Sequence, residues 1–458
     1  MTLDRQQAFS GTKEAAPALR LDSARLEHYL TTNVKDFAGP LTVKQFKGGQ
    51  SNPTYLLETP ARRYVLRRKP PGKLLPSAHA VDREYRVIRA LHTQGFPVAK
   101  PLLYCADERV AGTPFYVMSC VDGRVFWEPQ MPGSNPAERA AVYDAMNDTI
   151  ARLHAFDPAA IGLSDFGRGE NYVARQVGRW SKQYRASETE KIDAMERLIE
   201  WLPKHIPPGG PPRLVHGDFR LDNLIVAASE PKILGVLDWE LSTLGDPLAD
   251  FTYHLMAWHM PHSESAAGTA SLVGHDLPAL GIPSMADYVE AYVARTGLDP
   301  RPALPIYLAY NFFRIAAILQ GIIGRVRDGT ATSEFAPAKA EMIRPLADFT
   351  YHLMAWHMPH SESATGTASL VGHDLRALGI PSMADYVEAY VARTGLDPRP
   401  ALPVYLAYNF FRIAAILQGI IGRVRDGTAT SEFAPAKAEM IRPLTDKAWE
   451  FAREAGAH

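Results

Sequence analysis

The sequence predicts an α+β fold in two lobes, a small antiparallel β-rich lobe followed by a larger helical one. Three observations carry this reading. Up to residue 121 the chain runs mainly in short apolar segments broken by Gly, Asn and Pro, the pattern of antiparallel strands and turns. Beyond it, apolar residues recur at helical spacing. A single hairpin studded with polar groups, residues 214–240, interrupts the helical part.

Taken in order, "TVKQFKGGQSNPTYLLETP" (42–60) and "RRYVLRRKP" (62–70) read as strands. "AHAVDREYRVIRALHTQG" (78–95) is a helix, with Val81, Tyr85, Ile88 and Leu91 near helical spacing and Gly95 as its stop. "TPFYVMSCV" (113–121) is a further strand, ended by the turn-prone "DGR". "NPAERAAVYDAMNDTIARLHAF" (135–156) and "NYVARQVGRWSKQYRAS" (171–187) are helical, and the Pro/Gly run "HIPPGGPPR" (205–213) breaks the chain before the hairpin. In "SMADYVEAYVARTG" (284–297), Ser284 is the N-cap, Asp287 stands three residues on, and Gly297 lies past the end.

Residues 247–344 return at 345–442 with a constant offset of 98, differing at Ala267/Thr365, Pro278/Arg376 and Ile306/Val404. Solenoid repeats are shorter, more numerous and more diverged. Two near-identical copies read instead as a recent tandem duplication or an artefact of sequence assembly. The domain reading is therefore an N-terminal lobe at 1–121, a C-terminal lobe at 122–344, and at 345–458 the duplicated helical segment with a terminal helix. Whichever copy is surplus carries an almost wholly apolar helix, "IYLAYNFFRIAAILQGIIG" or its twin, with no lobe to bury it. An exposed patch that drives a domain-swapped homodimer, aggregation or partial disorder is the expected consequence.

Composition narrows the function. A net charge of −1 argues against a general nucleic-acid or membrane-surface binder. Two cysteines, Cys105 and Cys120, are too few for a disulfide framework and suit a reducing cytoplasm. The first residues contain no apolar core segment of the kind a signal peptide needs. A soluble cytoplasmic protein is expected.

The chemistry concentrates in "LVHGDFRLDNLIV" (214–226) and "ILGVLDW" (233–239). With a turn near Ser229–Glu230 and symmetric pairing, Asn223 is expected directly across from Asp238, on the same face, with Cβ atoms ~5 Å apart. An amide oxygen and a carboxylate converging there suit Mg²⁺, which takes oxygen ligands and often only one or two from protein. Asp218, in the loop before the hairpin, is left to accept a proton from a hydroxyl. Asp and Asn are also ordinary turn formers, and the three residues framing one hairpin are what tips the reading toward chemistry.

These residues carry a resemblance. "HGDFRLDN" followed by "LDWE" resembles the aminoglycoside phosphotransferase family, small-molecule kinases with a protein-kinase-like fold. "GGQSNPTYLL", "LRRKPPGKLLPSAHAVDREYRV", "WELSTLGDPLAD" and "GRVRDGT" resemble the subgroup fused to or associated with acyl-CoA dehydrogenases. The resemblance implies an ATP- and Mg²⁺-dependent kinase acting on a small hydroxylated molecule, a hydroxyacyl or hydroxyacyl-CoA compound rather than an antibiotic. A catalytically impaired, pseudokinase-like module that binds nucleotide or an acyl ligand is the alternative. By the resemblance, Asp218 is the catalytic base, His216 braces the catalytic loop, and Asn223 and Asp238 hold the metal. The loop "KGGQSNPTY" (47–55), with Gly48, Gly49, Ser51 and Asn52, covers the ATP phosphates, although it lacks the full glycine spacing of protein kinases. Arg67 stands where kinases keep a strand lysine, with Lys69 as a rival, and Glu84 is its helix partner. Met118 to Val121, including Cys120, match the hinge that binds adenine.

Weaker candidates remain. Arg175, Arg179, Trp180 and Tyr184, on the helix at 171–187, either line the acceptor pocket or form a solvated basic face. His254, His259 and His262 lack an i, i+4 pair and read as core or surface histidines rather than a metal cluster.

Overall fold

A computed structural model describes residues 6, 9–47, 52–71, 80–188, 193–260, 271–327 and 382–394, with isolated positions beyond these. The chain divides into two compact units, Met1–Ile343 and Arg344–His458.

The first unit opens with β1 (Thr12–Lys13), α1 (Ser23–Asn33), β2 (Thr42–Phe46), β3 (Thr54–Glu58), β4 (Arg63–Arg68), α2 (Val81–Thr93), β5 (Pro101–Cys105), a short α3 (Glu108–Ala111) and β6 (Phe115–Ser119). The strands form one antiparallel sheet in the order β1-β2-β3-β4-β6-β5. Alternation along them sorts side chains onto two faces. Tyr55, Leu57, Tyr64, Leu66, Phe115 and Val117 pack with Leu26 and Leu30 of α1. Val65, Tyr116 and Met118 pack on the other face with Val81, Val87, Ile88 and Leu91 of α2. Burying such side chains contributes about 1.5–3 kcal/mol each, so both faces are firmly held. Gly95, at φ +66°, closes the turn after α2 where the sequence placed the stop. "PLLYC" (101–105) was not read as a strand from sequence; it is the sheet edge beside β6.

The helical lobe continues with α4 (Pro136–Ala155), α5 (Tyr172–Ser187), α6 (Asp193–His205), β7 (Arg213–Val215), β8 (Leu224–Val226), β9 (Ile233–Val236), β10 (Thr243–Gly245), α7 (Pro247–His254), a short α8 (Leu277–Leu280), α9 (Met285–Thr296) and α10 (Leu304–Arg327). Asn135 caps α4 by accepting from the Glu138 N–H, with Pro136 at the first helical position. Past β6 the chain ties itself to the hairpin, Arg124 and Val226 exchanging both backbone hydrogen bonds (2.7 and 2.8 Å). None of the described helices is long and apolar enough to cross a membrane.

The first repeat copy completes this lobe. Its α10 packs against α5 and α7, and its α9 against α4. Tyr307 of α10 also donates to Asp246 (2.8 Å), whose other carboxylate oxygen caps α7 at Leu248 N. In the second unit, α11 (Met383–Thr394) repeats α9 in detail. Ser382 accepts from Asp385 N at 3.1 Å, as Ser284 does from Asp287 N. Arg399 pairs with Glu388, as Arg301 pairs with Glu290. The same segment, from the N-cap serine to the arginine seventeen residues on, thus forms the same capping box and ion pair in both copies. The apolar helix of the second copy lies outside the described residues.

Candidate active site

Three consecutive residues after β7 are gripped from several sides. Asp250 of α7, wholly buried, accepts from the backbone N–H of His216 and of Gly217, each at 2.7 Å. Its Oδ2 also meets His154 Nε2 of α4 at 3.2 Å, and His154 Nδ1 meets the Tyr292 hydroxyl at 2.7 Å. Burial works to raise the Asp250 carboxyl. The hydrogen bond and charge of His154, with the backbone donors, nonetheless hold it below the usual carboxylate range. Gly217 sits at φ +84°, and a Cβ there would lie 2.8 Å from the Leu241 carbonyl, so only glycine fits. Arg314 of α10 donates to the Gly217 carbonyl at 2.6 Å. His216, itself fully buried, spans the loop: Nε2 lies 2.8 Å from the Leu237 carbonyl, and Nδ1 accepts from Asp218 N.

This grip presents the Asp218 carboxylate in one orientation. Oδ1 accepts from the Tyr253 hydroxyl (2.7 Å) and faces Arg220 Nε (3.0 Å). Asn223 Nδ2 donates to the Asp218 backbone carbonyl (2.9 Å) and to its Oδ2 (3.2 Å). Asp218 and Asn223 are therefore neighbours, and the Asn223 amide oxygen faces away from Asp218.

The hairpin corrects one expectation. Asn223 does not lie opposite Asp238; the register is Leu224↔Val236 and Ile225↔Gly235, and Leu237 N donates to the Asn223 carbonyl. A bulge between Ile225 and Val226 leaves Leu234 unpaired and shifts the register beyond it. Asp238 then adopts left-handed backbone (φ 63°, ψ 61°) at the head of a short 3₁₀ turn, which re-aims its side chain.

Its side chain meets Arg67. Arg67 Nη2 lies 2.5 Å from Asp238 Oδ1 and 3.5 Å from Glu240, while Nε lies 2.8 Å from Glu84 Oε2. Glu84 is 1% exposed, an acid placed inside the otherwise apolar face of α2. Burial pushes its carboxyl up, opposed by Arg67, the Tyr116 hydroxyl (3.0 Å) and the Asn52 amide (2.6 Å). Asn52 is fully buried and supports Glu84. Gly48, Gly49 and Ser51 lie outside the described residues. Alternation puts Arg68 on the opposite face of β4, bound to Tyr55, Ala111 and Leu19. Lys69 is half-buried past the strand end.

Met118 is buried in the sheet, and the Ser119 and Cys120 N–H groups donate to Lys100 and Arg63 carbonyls. A depression of ≈ 500 Å³ lined by Thr59, Arg63, Lys100, Ser119, Cys120 and Asp122 adjoins this segment and includes none of the Asp218 group. On α5, Arg175 is exposed and donates to the Arg168 carbonyl, and exposed Arg179 lies over the Trp180 ring. Neither is brought to Asp218. Tyr184 is fully buried among core residues, so it packs the lobe rather than lining an open pocket. Trp180, also buried, reaches the loop indirectly, its ring 5.9 Å from the Arg314 guanidinium. His254 is a core residue against the Tyr288 hydroxyl (2.9 Å), pushed down to about 4 by burial. Burial also lowers His259, while His262 lies outside the described residues. Sequence reasoning missed Asp250, Tyr253, Arg314 and His154. Asp250 had a signal in "WELSTLGDPLAD", quoted there only for the resemblance; the others stand at unremarkable helix positions.

A profile of the phosphotransferase enzyme family, APH, matches residues 42–285. Mouse acyl-CoA dehydrogenase family member 10 is 43% identical over 341 residues, covering 74% of this chain and 32% of that protein. Human acyl-CoA dehydrogenase family member 11 is 41% identical over 345 residues, covering 74% and 44%. The chain thus spans less than half the length of these curated relatives. A crystal structure of a Ralstonia eutropha JMP134 protein assigned to the aminoglycoside phosphotransferases is 49% identical, covers 72% of this chain and 97% of that one, and superposes with a TM-score of 0.64. Choline kinase from Cryptosporidium parvum Iowa II, at 12% identity, TM-score 0.50 and coverage of 73% and 96%, shares the fold alone.

Proposed function

This chain belongs to the phosphotransferase enzyme family and is a small-molecule phosphotransferase, and from that premise we propose that it moves the γ-phosphoryl group of ATP to an alcohol of a hydroxyacyl compound. The observation that carries the reading is the Asp218 carboxylate, fixed by Tyr253, Arg220 and Asn223 on a loop that Asp250 clamps from below. So held, Asp218 orients the acceptor hydroxyl and takes its proton as the phosphoryl group arrives. Arg67, kept in place by Glu84, sets a fixed cation beside the phosphates.

Asn223 and Asp238 fit a divalent ion. The Asn223 amide oxygen is turned away from Asp218, and Asp238 keeps one carboxylate oxygen beyond the one that meets Arg67. Two hard oxygen donors are what Mg²⁺ takes from protein when water and phosphate supply the rest. Bound there, Mg²⁺ would neutralise charge on the phosphates. The acyl assignment draws on the acyl-CoA dehydrogenase names of the curated relatives and on the cation Arg220 beside the base, which opposes a polycationic aminoglycoside. The two unpaired cysteines, Cys105 and Cys120, fit a cytoplasmic setting. A second reading, a module that binds nucleotide without chemistry, draws on the Arg67–Asp238 contact, which engages a metal-binding oxygen.

The test is ADP release with Mg-ATP across 4-hydroxyacyl-CoA, choline and kanamycin acceptors, beside a thermal shift with Mg-ATP alone. Turnover of the hydroxyacyl acceptor is expected, falling by roughly 10²–10⁴ in Asp218→Asn. A Mg-ATP thermal shift without turnover on any acceptor would favour the binding module, and undiminished turnover in Asp218→Asn would remove the base.

A further inference from the structure

Arg314 is 5% exposed; burial opposes its charge, while Tyr310, Tyr253, Tyr172 and Asp218 favour it. Its Nη2 donates to the Gly217 carbonyl, and its guanidinium lies between two rings, 4.7 Å from the Tyr253 centroid and 5.9 Å from that of Trp180. Among the described residues no carboxylate pairs with it, and that single carbonyl is its hydrogen-bond acceptor. Other buried arginines away from the site are better satisfied. Arg68 has three acceptors, and Arg139 has the carbonyls of Gln130, Met131 and Leu280. Two ring faces return only part of the solvation a buried guanidinium loses. Beside it, Trp180 Nε1 is buried without a hydrogen-bond partner. A buried guanidinium with one acceptor next to a buried donor with none calls for an oxygen supplied from outside the chain.

The place of this pair defines that oxygen's owner. The ring beneath Arg314 belongs to Tyr253, whose hydroxyl holds Asp218. Arg314 therefore stands one aromatic ring from the proposed base, and Arg220 flanks the same carboxylate. We propose that Arg314, with Trp180, recognises a carboxylate or thioester carbonyl oxygen on the acceptor, and that this pair selects acyl-type alcohols over polycations. The inference rests on the phosphotransferase reading above and extends it to the acceptor's second functional group.

A matched pair of acceptors tests it: 4-hydroxydecanoate, and 4-decanol, which keeps the hydroxyl and lacks the carboxylate. Wild-type protein is expected to prefer the hydroxy acid. Arg314→Gln should lower kcat/KM for the acid, mainly through KM, by about 10- to 150-fold, the worth of one hydrogen bond to a charged group. The loss on the alcohol should be at least tenfold smaller. Equal losses on both acceptors would show that Arg314 only braces Gly217 and would overturn the inference. Should Arg314→Gln fail to fold, Trp180→Phe decides by the same differential, expected at roughly 3- to 10-fold; no differential there overturns it as well. Kanamycin turnover at the rate of the hydroxy acid would refute the selectivity. Absence of ADP release with every acceptor would instead remove the phosphotransferase reading, and the inference with it.

Discussion

Removing the Asp250 carboxylate should damage fold and turnover together. In Asp250→Ala the backbone N–H groups of His216 and Gly217 and the Nε2 of His154 lose their shared acceptor in a site closed to water. Each buried donor left unsatisfied costs about 1–3 kcal/mol, so with three of them roughly 3–9 kcal/mol is at stake. That is a large part of the 5–15 kcal/mol that typically holds a domain together. At roughly 2–4 °C per kcal/mol, the melting temperature should fall by about 6–36 °C. The same loop carries Asp218, so ADP release measured below the new melting point should drop as well. Because Asp250 is held below its unfolded value, its contribution is present at neutral pH and lost as pH falls through the folded value, at the acid end below about 4. The variant should therefore show a flatter acid limb of stability. Asp348 repeats Asp250 in the second copy, so Asp250→Ala/Asp348→Ala is measured alongside. Melting within 2 °C of wild type and undiminished turnover in that double variant would refute the clamp.

Arg67→Ala leaves Glu84 buried without its cation and should cost about 3–5 kcal/mol, while Arg67→Lys should cost less; equal melting of the two would sink the ion-pair argument. His254 is folded in its neutral form with its value depressed to about 4, against 6.5 when exposed. The unfolded chain thus binds the extra proton first, and stability should fall as pH drops from 6.5 toward 4, a slope that His254→Gln should shallow in urea titrations. Gly217→Ala forces a left-handed residue against Leu241 and should lower kcat at least tenfold with measurable destabilisation, checked by melting and ADP release. Deleting 345–442 should leave a monomeric phosphotransferase by light scattering, with the full chain as the dimer, because the first copy already supplies α7 to α10; loss of ATP binding on deletion would count against this.

Much of the fold was legible because local rules govern it. The stop at Gly95 and the Ser284–Asp287 box follow from short-range sequence, and the box forms again at Ser382–Asp385. The motif at 216–223 also announced itself, since polar residues in an apolar run need partners. The register of Asn223 was misjudged because pairing it with Asp238 needs a turn centred on Glu230–Pro231, whereas Val226 pairs Ile233 about Ser229–Glu230 and the bulge carries Asn223 only as far as Leu237. The contact of Asn52 with Glu84 was not legible because the two lie 32 residues apart on different elements.

The sequence alone determined the order of elements, the caps, the two faces of the sheet and the identity of the groups gathered at residues 216–238, all consequences of chain-local geometry and hydrophobic periodicity. Only the tertiary structure decided that Asp250, Tyr253 and Arg314 grip residues 216–218, and that Arg67 reaches Asp238 across 171 residues of chain. Such pairings depend on which buried charges and donors meet after the helices pack. No spacing in one dimension encodes that meeting.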